Sequence, residues 1–101
     1  MKFDEFWKKL QSQLYSGLTI RNWTAAKGYL GDEFIVASIS SDVIIVESPN
    51  AINLQNISKG DFEIMFNNWE EYCSGRLQRQ HLRDQTRFSK YTMSIIKQLE
   101  N

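Results

Sequence analysis

At 101 residues, with 42% hydrophobic and 13% aromatic content and twelve basic residues balanced by twelve acidic ones, the chain has room for a single domain, residues 1–101, built round one core. That apolar content excludes a disordered chain, because enough surface can be buried to offset the entropy of ordering the backbone. Neutrality removes any whole-molecule attraction to nucleic acid, an anionic membrane or an acidic substrate, and leaves only local charge asymmetry to interpret.

The N-terminal stretch MKFDEFWKKLQSQL places Phe3, Phe6, Trp7, Leu10 and Leu14 at i, i+3, i+4, i+7 and i+11, one apolar stripe on a helix running to about Tyr15. Asp4 with Lys8 and Glu5 with Lys9 are i, i+4 pairs in the favourable orientation, and Gly17 is expected to cap the C-terminal end. Charges within the apolar pattern make the segment neither a secretory signal nor a membrane span, so the expected location is the cytoplasm. Three aromatics on one helix face read more simply as core than as a ligand box.

The middle of the chain reads as β. LTIRNW alternates weakly, FIVASI (34–39) and VIIVES (43–48) are β-branched runs, and INLQNI (52–57) alternates apolar with polar. Gly31-Asp32, Ser40-Ser41-Asp42 and Pro49-Asn50 fall between the runs as turns, spaced for hairpins, and Pro49 is placed outside the ladder because it has no N–H to give. The expectation is an antiparallel meander of three to four strands.

After the sheet, Ser58 and Asp61 form a capping-box pattern with Asp in place of the usual Glu, and Phe62, Met65, Phe66, Trp69, Tyr72 and Cys73 line one helical face. From Ser58 to Glu71 one Lys faces four acidic residues, whereas from Arg76 to Lys90 there are five bases, one acid and His81. Carried on as a single helix, Arg76, Arg79, Arg83, Arg87 and Lys90 would span an arc of roughly 80°. Asp84-Gln85-Thr86 reads as a break, with Thr86 as N-cap of a last helix carrying Phe88, Tyr91, Ile95 and Leu99, so the full arc is not expected to survive while Arg76, Arg79 and Arg83 still share a face. The fold class is therefore α+β: an N-terminal helix, the meander, then two to three C-terminal helices packed on the sheet.

The chain carries no catalytic, metal-binding or cofactor signature. Cys73 is the only cysteine, so no intramolecular disulfide forms, and with His81 as the only histidine no closed zinc site can be built. Placed on the apolar stripe, Cys73 reads as a buried small hydrophobe and not as a nucleophile. Asp42 and Glu47 lack the following Lys of a metal-dependent nuclease pattern, and Gly28 and Gly31 read as turn residues, not as a phosphate loop. Asn22-Trp23-Thr24 and Asn56-Ile57-Ser58 match the glycosylation pattern by coincidence.

The concentrated signal is the segment 76–90. Its Arg and Lys side chains, interleaved with Gln78, Gln80, His81, Gln85, Thr86 and Ser89, supply donors of the kind that contact phosphates and base edges, and a helix opening at Thr86 would offer free N–H groups beside Arg87 and Lys90. The competing reading is a solvated face whose Arg residues pair with Glu63, Glu70, Glu71 or Asp84.

Within the last 40 or so residues, the pattern Asp61-Phe62, Trp69 and Tyr72 three apart, Gly75, an Arg and Arg87-x-Ser89-x-Tyr91 loosely resembles small uncharacterised bacterial α+β domains of the kind carried on mobile gene cassettes. The resemblance implies a bacterial domain of a class in which homo-oligomers are common, and it assigns no active site. The functional expectation is a non-enzymatic binding or assembly module that pairs with itself. The alternatives are a nucleic-acid binder using 76–90 and, behind it, a small-molecule binder or an enzyme of unknown reaction. No membrane partner is expected.

Overall fold

A computed structural model describes residues 1–49 and 51–100. The element order is α1 (Phe3–Gln13), β1 (Thr19–Thr24), β2 (Gly28–Ile39), β3 (Val43–Glu47), β4 (Gln55–Ser58), α2 (Lys59–Cys73), α3 (Arg79–Gln85) and α4 (Ser89–Glu100). The four strands form one antiparallel sheet in the order β1-β2-β3-β4, a meander. The core lies between its inner face and the helices, so the fold is α+β. No helix among the described residues is long and apolar enough to cross a membrane.

Register explains which residues enter the core. Ile20 pairs with Phe34, Val36 with Val46 and Ile44 with Ile57, and all six are buried to 1% exposure or less. Strict alternation from Phe34 and Val36 would carry Ser38 inward, yet Ile39 is the residue packed against the core. The change of phase is a β-bulge: Val36 pairs with Val46 and Ser38 with Ile45, which leaves Ala37 as one extra residue on β2. The Ser16 hydroxyl donates to the Ala37 carbonyl at 2.8 Å, satisfying the backbone that the bulge disturbs.

Three local expectations, a helix cap, a turn and a strand, are corrected. Helix α1 ends at Gln13, with Leu14 as an extended C-cap; Gly17 (φ 95°) instead lies in the connection, where its N–H donates to the Val36 carbonyl at 2.7 Å. Gly31-Asp32 is not a turn. β2 continues through it to Gly28, with an irregularity opposite Asn22, and the hairpin reverses at 25–27, closing on Gly28 at φ 74°. The strand expected at 52–57 forms only over Gln55–Ser58, leaving Ile52 and Leu54 exposed. Pro49 does lie outside the ladder; Asn50, its partner in the expected turn, is outside the described residues.

The aromatic stripe of α1 is core. Trp7 is buried against Phe62 (ring centroids 5.5 Å apart) and its Nε1 donates to the Ser41 carbonyl at 2.9 Å, while half-buried Phe3 and Phe6 meet Phe66 at 5.5 and 5.0 Å. Helix α2 opens with the anticipated capping box: Ser58 Oγ accepts from the Asp61 N–H at 3.1 Å and the Asp61 carboxylate accepts from the Ser58 N–H at 3.0 Å. The same carboxylate accepts from the Thr86 hydroxyl at 2.6 Å, which ties the start of α2 to the α3–α4 junction.

Helix α4 buries more than the expected stripe of Phe88, Tyr91, Ile95 and Leu99. Thr92, Met93, Ser94, Ile95 and Ile96 are buried, whereas Phe88, Tyr91 and Leu99 are half-buried. The reason is its position along the sheet edge. β1 is an edge strand, and α4 side chains meet its outward polar groups: Ser94 Oγ accepts from the Trp23 N–H at 3.0 Å, and Gln98 accepts from the Arg21 N–H at 3.3 Å and donates to the Thr19 carbonyl at 3.0 Å. This edge is closed to further strand pairing.

Candidate functional site

The five cations of 76–90 do not share one helix face. Two breaks separate them: α2 stops at Cys73, and Gly75 (φ 83°) turns the chain while the Leu77 N–H returns to the Glu71 carbonyl at 3.0 Å. α3 then ends at Gln85, with Thr86 extended at φ −148°. The expected break near 84–86 is present, and a second at 74–78 divides the segment further.

Each cation consequently has its own surroundings. Arg76 forks onto Glu71, Nε to Oε2 at 2.9 Å and Nη2 to Oε1 at 3.3 Å, one of the acidic partners expected for this segment. Lys90 pairs with Asp32 at 3.7 Å, a partner across the fold that spacing could not reveal. The Arg87 guanidinium lies 4.8 Å from the Phe88 ring centroid. Arg83 is exposed at the end of α3 and has no ion pair among the described residues. Arg79 is half-buried, and its Nε is buried with no hydrogen-bond partner among the described residues. The seat expected beside Thr86 is occupied from within: α4 opens three residues later, at Ser89, and the Thr86 hydroxyl accepts from the Phe88 N–H at 3.1 Å while donating to Asp61.

Arg79 borders a cleft of ≈ 460 Å³ between the β1–β2 turn and the C-terminal end of α2. The turn contributes Thr24 to Lys27, with Leu30 behind it, and the helical side contributes Tyr72 to Gly75 and Leu77 to Arg79. Tyr72 joins the two walls, its hydroxyl accepting from the Ala25 N–H at 3.0 Å and donating to Met93 Sδ at 3.3 Å. The cleft's charged lining is Lys27 and Arg79, with no carboxylate.

Cys73 also borders this cleft and is exposed, not buried as its place on the apolar stripe suggested; Tyr72 takes the inward position instead. Its thiol is pushed above the ordinary value, first by desolvation and then by the Glu100 charge, with Lys97 opposing. It is therefore a poor thiolate at neutral pH. Among the described residues no group of three or more His, Cys, Asp or Glu is arranged to hold a metal ion.

The second candidate surface is the outer face of the sheet, away from the helices. Thr19 pairs with Ile35 and Ile35 with Glu47; Arg21 pairs with Glu33; Ser38 pairs with Ile45 and Ile45 with Asn56. Ile35 is 41% exposed, half-buried Ile45 is its diagonal neighbour on β3 and half-buried Val43 follows two residues on, so an apolar row crosses this face, with Glu47 beside Ile35 and Arg21 and Glu33 at that end. Asn22, of the first glycosylation-like triplet, is 2% exposed, which is incompatible with a glycan on the folded chain. No protein-family model, curated protein or solved structure matches the chain.

Proposed function

We propose that this chain is a non-enzymatic assembly module that pairs with a second copy of itself through the outer face of its sheet. The observation that carries the reading is the placement of Ile35, Val43 and Ile45 on a face that no helix covers. An apolar row on an otherwise charged surface is the usual mark of a partner site.

The chemistry of the rim favours a second copy over other occupants. Arg21 and Glu33 are cross-strand neighbours and Glu47 lies beside Ile35, so both signs of charge border one patch. A two-fold interface requires a patch to complement itself, which a mixed-sign rim satisfies and a single-sign rim does not. The two carboxylates also repel a polyanion from this face. Edge pairing is the weaker route, because α4 side chains occupy the β1 edge and β4 is only four residues long.

Sedimentation velocity over a micromolar-to-millimolar range tests this reading. The wild type should shift from monomer to dimer, and Ile35→Lys, which places a charge on the patch without touching the core, should remain monomeric with an unchanged circular dichroism spectrum. A wild type that is monomeric throughout, or an Ile35→Lys variant that dimerises equally well, overturns it. The nucleic-acid reading has a separate readout: a duplex titration at low salt in which binding weakens with a log–log slope of about 0.9 per contacted phosphate would support it, and no binding at low salt would remove it.

A further inference from the structure

We infer that the cleft between the β1–β2 turn and the end of α2 is a binding site for a small organic carboxylate with an apolar body, and that Arg79 is the residue that recognises the carboxylate. This site lies apart from the outer sheet face and does not depend on self-association.

Arg79 carries the inference. It lines the cleft, and no hydrogen bond or ion pair engages its guanidinium among the described residues. Its Nε is shut off from water, so a ligand in the cleft meets the Nη end of the group. Two Nη N–H groups match the two oxygens of a carboxylate end-on. Arg76 in this chain already grips an acid, Glu71, whereas Arg79 has none in place.

The walls define the rest of the ligand. Lys27 stands on the opposite side as a second cation, and no Asp or Glu lines the cleft to oppose an anion. Ala25, Ala26, Leu30 and Leu77 provide apolar surface next to the charged pair. A volume of ≈ 460 Å³ lies within the range of small-molecule sites, which combine apolar walls with a few convergent polar groups. The site is also braced, because the Tyr72 hydroxyl holds the Ala25 backbone against α2 and Gly75 turns the chain so that Arg79 faces back toward it. Cys73, with its thiol held protonated at neutral pH, contributes surface and no chemistry.

Benzoate is a suitable probe, with benzamide as its uncharged match in shape. Titration followed by backbone amide NMR should show benzoate moving the signals of Ala25, Ala26 and Gly75, with benzamide binding about tenfold or more weaker, as expected when a charge-assisted hydrogen bond is lost. Arg79→Met keeps the aliphatic stem and should weaken benzoate by a similar factor. Lys27→Met should weaken it less, since an ammonium at the mouth acts as a point charge. Arg83→Met, on the same helix but outside the cleft, should leave binding unchanged, and the amide spectra themselves report whether each variant is folded. Equal binding of benzoate and benzamide, unchanged affinity in folded Arg79→Met, or shifts located away from the cleft would overturn the assignment. If Arg79→Met fails to fold, the comparison of benzoate with benzamide and the Lys27→Met titration decide the matter alone.

Discussion

Asp61→Ala should be one of the most damaging single changes to a half-buried polar residue in this chain. The carboxylate accepts three hydrogen bonds, from the Ser58 N–H (3.0 Å), the Ser58 hydroxyl (2.8 Å) and the Thr86 hydroxyl (2.6 Å). Losing the Asp61 half of the capping box, while the Ser58 hydroxyl still accepts from the backbone N–H at 61, costs up to ~1 kcal/mol, and stranding the hydroxyl proton of a buried side chain adds ~1–3 kcal/mol. Thr86 is 5% exposed, so water cannot readily replace the lost acceptor. The expected total is ~1–4 kcal/mol, which for a domain of this size lowers Tm by about 5–20 °C. Thermal unfolding followed by circular dichroism provides the measurement, with Glu63→Ala as the control: it lies exposed on the same helix and should change stability by less than ~0.5 kcal/mol. A double-mutant cycle with Thr86→Val isolates the bond between the two elements and should return a coupling of about 1 kcal/mol or more. An Asp61→Ala variant no less stable than Glu63→Ala, or a coupling within ~0.3 kcal/mol of zero, would refute the reasoning.

Alkylation of Cys73 should titrate above the ordinary thiol range, because desolvation and Glu100 both disfavour the thiolate. Since the folded state holds this proton more tightly than the unfolded one, the contribution to stability is complete below the unfolded thiol's pKa and is lost as pH rises through the folded value; Glu100→Gln should move the iodoacetamide rate profile to lower pH. Gly75→Ala should destabilise by roughly 1 kcal/mol in a urea titration despite open space around the site, because φ 83° is costly for any residue with a Cβ.

Much of the fold is legible in the residues. The stripe of α1, the β-branched runs of β2 and β3, and the Ser58–Asp61 box each act through near neighbours, so spacing alone identifies them. What escapes is long-range. The bulge at Ala37, which turns Ile39 inward, depends on how β2 meets β3, and nothing in FIVASI marks it. The length of β2 was hidden because Gly31 and Asp32 look like a turn, yet the strand runs through them as an irregularity. Helix α4 buries Thr92 and Ser94, which pattern reading assigns to the solvent side; they are tolerated because Thr92 bonds back to its own helix and Ser94 meets the β1 edge.

The candidate sites divide in the same way. The concentration of cations between Arg76 and Lys90 is plain in the sequence, but their separate fates depend on two backbone turns. Arg76 meets Glu71 five residues away, whereas Lys90 reaches Asp32 on a strand and Arg79 turns into a cleft whose other wall comes from residues 24–27. Gly75 is the signal that could have separated Arg76 and Arg79 from α2. The outer sheet face was open to inference as soon as the helices were assigned to one side, but its residues required the register.

Self-pairing through Ile35, Val43 and Ile45 is tested most directly by isotope-filtered NOE spectroscopy on an equal mixture of methyl-labelled and unlabelled protein at millimolar concentration. Intermolecular NOEs linking the methyl groups of Ile35, Val43 and Ile45 to the same face of the mate are the predicted result. Intermolecular NOEs arising only from other surfaces, or none at all, would contradict it.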